Sequence, residues 1–140
     1  MTQAVIHIFV DGGARGNPGE AGIGVVIKQG HKTLDEFGEY IGKATNNVAE
    51  YTALNRGLQE ALAHGHKHIE VFSDSELMVN QIKGEYKVRE DSLRPLHYLA
   101  VKLLKKFDKA DISHIPREKN KEADKLVNKA IDEHSYPLFA

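Results

Sequence analysis

The chain contains no cysteine, which removes disulfides, thiolate metal sites and thiol nucleophiles together. Any metal bound here must sit on oxygen or imidazole. No apolar run is long enough to cross a bilayer, and Met1, Thr2 and Gln3 lead directly into a strand-like segment without the pattern of a signal peptide. The expectation is a soluble, cytoplasmic protein with no membrane partner. A dominant charge of either sign is also lacking, since the formal net charge is −1 with 28% charged residues. Attraction to a polyanion must then come from local patches, not from the field of the whole molecule.

At 140 residues the chain is the size of one domain. Residues 4–10 are nearly continuously apolar, with Ile6, Ile8 and Val10 on one face and Val5 and Phe9 on the other, as in a strand covered on both sides. The glycine-rich segment 12–19 reads as a loop, and 21–28 and 32–41 read as two further strands joined around Gly30. Val48, Tyr51, Leu54, Leu58, Ala61 and Leu62 recur at three- and four-residue steps, so 48–64 reads as a helix that Gly65 can terminate. A strand at 68–73, a short helix at 76–82 and a longer helix at 92–107 follow. In the longer helix Leu93, Leu96, Ala100, Leu103 and Leu104 point inward. A strand at 111–116 and a helix at 120–131 complete the order. That order implies an α/β fold with a mixed five-stranded sheet, a three-strand antiparallel meander followed by strand-helix alternation, and helices on both faces. Residues 1–133 are expected to form the domain and 134–140 a C-terminal tail.

Four acids, Asp11, Glu50, Asp74 and Asp124, stand at strand edges or near helix starts. Each has an innocent reading. Asp11 suits a turn before glycines, Glu50 lies at capping-box spacing from Asn47, and Asp74 and Asp124 complement helix dipoles. Together they read differently. Asp11 and Asp74 would leave the ends of neighbouring strands, with Glu50 and Asp124 on helices whose starts lie over the same end. Carboxylates so gathered repel one another unless a cation joins them. Oxygen-only donors favour Mg²⁺ or Mn²⁺. Two such ions roughly 3.5–4 Å apart can activate a water and stabilise the leaving oxygen of a phosphodiester.

The segments that carry these acids, Ile8-Phe9-Val10-Asp11-Gly12-Gly13-Ala14-Arg15-Gly16-Asn17-Pro18-Gly19, Thr45-Asn46-Asn47-Val48-Ala49-Glu50-Tyr51, Ser73-Asp74-Ser75 and Asn120-Lys121-Glu122-Ala123-Asp124, resemble those of a type 1 ribonuclease H. The resemblance spans almost the whole chain. It implies that Asp11, Glu50, Asp74 and Asp124 bind two Mg²⁺ ions, with Mn²⁺ as a substitute, and cleave the RNA strand of an RNA/DNA hybrid to leave 3′-hydroxyl and 5′-phosphate ends. It also implies substrate contacts from Gly12, Gly13, Asn17 and Asn46, a DNA-strand phosphate held by Thr45, and Glu76 in a position where a glutamine contacting RNA is common. Asn17 and Asn46 have an alternative reading as turn and cap residues.

The pattern departs from many members of that family in three ways. The segment Arg117-Glu118-Lys119-Asn120 lacks their loop histidine, and His114 stands too early to replace it. The segment 83–94 mixes Lys83, Lys87, Arg89 and Arg94 with Glu85, Glu90 and Asp91 and has no tryptophan, unlike their basic helical protrusion. Val48 stands where an arginine can assist the phosphate pocket. The resemblance is therefore to the short, protrusion-free branch, with a weaker grip on the hybrid and with double-stranded RNA or RNA-DNA junctions as further substrates. A monomer is expected. Two alternatives stay open: a weak or silent nucleic-acid-binding protein, and a nuclease of the same superfold acting on DNA.

Three other signals have weaker functional readings. Gly19-Glu20-Ala21-Gly22-Ile23-Gly24 leads into a strand and lacks Gly-Lys-Ser/Thr, so it fits neither nucleotide-binding fingerprint. His64, His66 and His68 alternate and could chelate, but they surround a helix C-terminus, where exposed histidine is ordinary. Lys102, Lys105, Lys106 and Lys109 read as a solvated face that could also meet phosphate.

Overall fold

The computed structural model describes residues 4–135. Its strands are β1 (Ile6–Gly16), β2 (Gly19–Gln29), β3 (Lys32–Ala44), β4 (His68–Ser73) and β5 (Lys109–His114). The helices are α1 (Asn46–Ala63), α2 (Glu76–Ile82), α3 (Arg94–Leu104) and α4 (Lys121–Ser135), with short 3₁₀ turns at Asp91–Leu93 and Arg117–Lys119. The sheet order is β3-β2-β1-β4-β5. β1, β2 and β3 pair antiparallel, while β4 lies parallel to both β1 and β5. This is the expected mixed sheet, meander first.

Ile6, Ile8 and Val10 are buried, together with Ile23, Val25 and Ile27 of the neighbouring strand. They meet Leu54, Leu58 and Ala61 of α1 in one core that also takes in Met78, Val79, Leu93, Ala100 and Leu103. The opposite face is covered by α4 over Gly22, Gly24 and Gly38, where Val127, Ile131, Ala123 and Leu126 lie close to the strand backbone. Covering helices on both faces explain why β2 is apolar and buried throughout residues 21–27.

The glycine-rich segment expected as a loop is mostly strand. β1 runs on through Gly16 and pairs with β2 until Gly16 meets Gly19, leaving only Asn17 and Pro18 at the hairpin tip, joined by a cis peptide bond. The glycines are required by close packing: a Cβ built on Gly12 would lie 2.2 Å from the Ala49 carbonyl oxygen of α1, and one on Gly24 would lie 2.2 Å from that of Ala123 in α4. The expected helix at 92–107 begins as a 3₁₀ turn and becomes α-helical at Arg94, with Pro95 in its first turn. That position costs proline nothing, because its missing N–H has no intrahelical partner there. α4 continues to Ser135, so the helix takes in the first residues expected as tail, and 136–140 lie outside the described residues.

Candidate active site

β1 and β4 stop pairing at Val10 opposite Ser73. The next residue on each chain is an acid, so Asp11 and Asp74 stand side by side at the carboxyl end of the parallel pair. α1 crosses directly over this end because Gly12 has no side chain to hold it off. Glu50 therefore reaches down to the sheet, and its Oε1 accepts from Gly12 N at 2.8 Å. It sits two residues further into the helix than expected: no acid occupies the first turn of α1, and the N-cap is Thr45, whose hydroxyl accepts from Val48 N at 3.2 Å. Asp124 is in the first turn of α4, as expected.

Asp11, Glu50 and Asp74 each present a carboxylate oxygen within 4.8 Å of the others. Asp124 adjoins Asp11 from the α4 side, close enough to raise its pKa, and its Oδ1 is 4.0 Å from Arg117 Nη2. All four line one open cleft of about 470 Å³. Asp11 is 6% exposed and Glu50 9%. Burial, then the charges of Asp74 and Asp124, push Asp11 up to about 8, against the Gly12 N–H that pulls the other way. Burial, then Asp11 and Asp74, also raises Glu50 well above the ordinary carboxylate range. The local cations do not neutralise this charge: Arg15 is committed to Asp132 at 2.6 Å, and the Arg117 side chain is 82% exposed. A divalent cation fits this donor set, because it replaces mutual repulsion by shared coordination to hard oxygens.

The expected substrate residues divide into two groups. Gly12, Gly13 and Asn46 line the cleft. Asn46 Oδ1 accepts from Ala14 N at 2.9 Å, and its own backbone N–H donates to Asn17 Oδ1 at 3.0 Å. Asn17 thus fixes Asn46 from outside the cleft lining. Thr45 caps α1, while Glu76 is exposed in the first turn of α2 and lies outside the cleft. His114 is exposed on β5 and does not line it either.

Four residues escaped the sequence reading. Arg15 and Asn128 line the cleft, and Arg117 stands at its mouth in the turn before α4. Asn128 Nδ2 donates to the Asp124 carbonyl at 3.1 Å, and the step of four along α4 was the available signal. Asn120 is 1% exposed and joins three elements. Its Nδ2 donates to Val10 O at 2.9 Å and to Asp74 Oδ2 at 3.4 Å, while its carbonyl accepts from Asp124 N at 3.1 Å.

Residues 9–130 match the family described as reverse transcriptase-like. The chain is 41% identical over 129 residues to ribonuclease HI of Halobacterium salinarum, covering 91% of this chain and 65% of that protein. The crystal structure of RNase H1 from that archaeon superposes with a TM-score of 0.90, covering 92% of this chain and 98% of the solved one. A bifunctional protein of Mycobacterium tuberculosis is 43% identical over 129 residues, covering 91% of this chain and 35% of its own length. LC11-RNase H1, solved in complex with RNA/DNA hybrid, is 47% identical with a TM-score of 0.88, covering 93% of this chain and 99% of that chain. The chain belongs to the type 1 ribonuclease H family, whose activity depends on divalent metal. Its protrusion-free form is evident between α2 and α3, where the described residues form turns and one 3₁₀ segment with no intervening α-helix.

Proposed function

We propose that this chain is an endoribonuclease that hydrolyses the RNA strand of RNA/DNA hybrids, leaving 3′-hydroxyl and 5′-phosphate ends. The observation that carries the reading is the convergence of Asp11, Glu50 and Asp74 donors within 4.8 Å in a cleft open to a polymer. The 47% identity to a ribonuclease H1 solved on RNA/DNA hybrid supports the substrate. Asp11, Glu50, Asp74 and Asp124 would hold two divalent ions, Mg²⁺ or in its place Mn²⁺. Such ions, when bound, polarise the phosphoryl oxygens and make a water nucleophilic at neutral pH.

The protein's own part is placement. Gly12 N–H holds Glu50 in one rotamer, and Asn120 orients Asp74 against the end of β1. Asp11 and Glu50 are both held above the ordinary carboxylate range, so a divalent ion held by them would bind with release of protons. Asn46 and the Gly12-Gly13 backbone face the cleft, where the 2′-hydroxyls of an A-like strand are accessible across a shallow minor groove. The Thr45 hydroxyl accepts from Val48 and keeps its own proton to donate to a phosphate. Glu76 would meet the RNA strand further along, accepting from a 2′-hydroxyl. A monomer acting in the cytoplasm suffices for this chemistry.

The second reading, a weak or silent binding protein, is favoured by the mixed charge of the segment between α2 and α3 and by Arg117 in place of a loop histidine. Incubation with labelled RNA/DNA hybrid, double-stranded RNA and double-stranded DNA, each in Mg²⁺ and in Mn²⁺, separates the readings. Cleavage of the hybrid, with slower cleavage of double-stranded RNA and none of DNA, is expected. Binding without cleavage in either metal would establish the second reading.

A further inference from the structure

Away from the carboxylate cleft, a second set of metal-competent side chains gathers where the end of α1 meets the edge strand β3. Asp35 comes from β3, Glu60 from α1 and His64 from its C-cap. Their ligand atoms all lie within 4.8 Å of one another. Glu60 and His64 are four residues apart and so share one helix face. His64 Nε2 is 3.1 Å from Glu60 Oε1 and 3.5 Å from Asp35 Oδ2. Donor atoms around a tetrahedral ion with bonds of about 2.0–2.1 Å are roughly 3.3–3.4 Å apart. The two observed separations bracket that spacing.

A second imidazole, outside this 4.8 Å group, is brought near it by the way the helix ends. Gly65 adopts φ +78°, its N–H donates to Leu62 O at 3.0 Å, and His66 N–H donates to Ala61 O at 3.1 Å. This pair of bonds is a Schellman closure, which folds the chain back over the last turn. The closure brings His66 alongside His64, with ring centres 6.0 Å apart. Both imidazoles and Asp35 line a cavity of about 170 Å³ walled by Ile27 and Leu34.

We propose that Asp35, Glu60 and His64, with His66 turning in from the same cavity as a fourth ligand, form a binding site for a borderline divalent cation, Zn²⁺ or the similar Co²⁺ or Ni²⁺, that clamps the end of α1 to the edge strand. Two imidazoles with two carboxylates suit these ions, whereas the oxygen-only cleft suits Mg²⁺ or Mn²⁺. The side chain of His64 is 50% exposed, which leaves an entry path. The competing description is His64 simply hydrogen-bonded to two acids, a partly exposed contact that contributes little to stability. The two descriptions differ in their response to zinc.

The test is a titration of ¹⁵N-labelled protein with Zn²⁺, followed by the imidazole nitrogen resonances and by thermal unfolding. The ring nitrogens of His64 and His66 should shift and saturate at one equivalent, with a rise in melting temperature. Ions entering the carboxylate cleft leave these signals unmoved, because no imidazole lines it. In His64→Ala, Zn²⁺ affinity measured by chelator competition should fall by at least the roughly 10–100-fold that loss of even an outer-shell partner costs. Activity in Mg²⁺ should stay at the wild-type level. Zinc that leaves the His64 and His66 rings unmoved, that shifts all eight histidines alike, or that binds His64→Ala as tightly as wild type would overturn the proposal.

Discussion

Asp11 carries the conflict between stability and function in a single side chain. Its pKa is raised from 3.8 to about 8, first by burial and then by Asp74 and Asp124. An acid whose folded pKa is raised contributes stability that is complete below its unfolded pKa and is lost as pH rises through its folded value. Metal-free protein should therefore lose stability between about pH 4 and pH 8, as unfolded chains ionise where the folded site retains its proton. Thermal unfolding in a chelator should show that decline, and Mg²⁺ should restore stability most at the alkaline end. Asp11→Asn should melt higher than wild type in the chelator at pH 8 and gain little from Mg²⁺, while losing activity. Asn120 makes the opposite case, since it is uncharged and holds the site together. Asn120→Ala leaves the Val10 carbonyl without its donor and frees Asp74. Denaturant unfolding should register a loss of about 1–3 kcal/mol, and the Mg²⁺ concentration needed for half-maximal activity should rise.

The contact between α1 and β1 is set by one missing side chain. A Cβ on Gly12 would stand 2.2 Å from Ala49 O, whereas one on Gly13 meets nothing closer than Val127 Cγ1 at 3.7 Å. Gly12→Ala should cost about 1–3 kcal/mol, as overpacking does, and should move Glu50 off its bond to Gly12 N. Gly13→Ala should stay within about 0.5 kcal/mol of wild type, so parallel unfolding curves of the two variants check the account. The same contact explains what was legible in sequence. Periods of two and of three to four were plain wherever apolar side chains pack, and β4 and α2 fall on the residues expected. Gly12 through Gly19 were read as loop because glycine, asparagine and proline cluster in turns. Here Gly12 is a strand residue bared so that α1 can cross, while Gly16 and Gly19 close the hairpin against Pro18 and Arg15, requirements visible only in tertiary structure. The start of α1 was misplaced for a related reason. Thr45, Asn46 and Asn47 can all cap a helix, and the choice follows from the long-range bond between Asn17 and Asn46. The four acids were legible because each sits in a distinctive segment. Arg15 and Arg117 were not, since an exposed polar residue carries no period, and Asn128 offered only its step of four from Asp124 along α4.

The whole molecule has little net charge with which to attract a polyanion. Between α2 and α3 the chain offers turns in place of a basic helix, and Glu90 of that segment accepts from Asn47 Nδ2 at 3.1 Å, beside the start of α1. Its charge opposes a phosphate backbone arriving at the cleft. Glu90→Lys, in an Asp74→Asn background expected to cleave too slowly to interfere, should bind hybrid more tightly. The log–log salt slope should steepen by about 0.9 for one added phosphate contact, as fluorescence anisotropy across a salt series would record. Those quantities tune the grip, whereas cleavage itself would depend on the carboxylates. The most direct measurement is Mg²⁺-dependent cleavage of an RNA/DNA hybrid labelled on both strands, comparing wild type with Asp74→Asn and analysing the ends. RNA fragments bearing 5′-phosphates, an intact DNA strand, and a rate lower in Asp74→Asn by at least the roughly 10²–10³-fold that removal of one preorganised electrostatic group costs are expected. Cleavage that survives a chelator, or that proceeds at the wild-type rate in Asp74→Asn, would contradict that dependence.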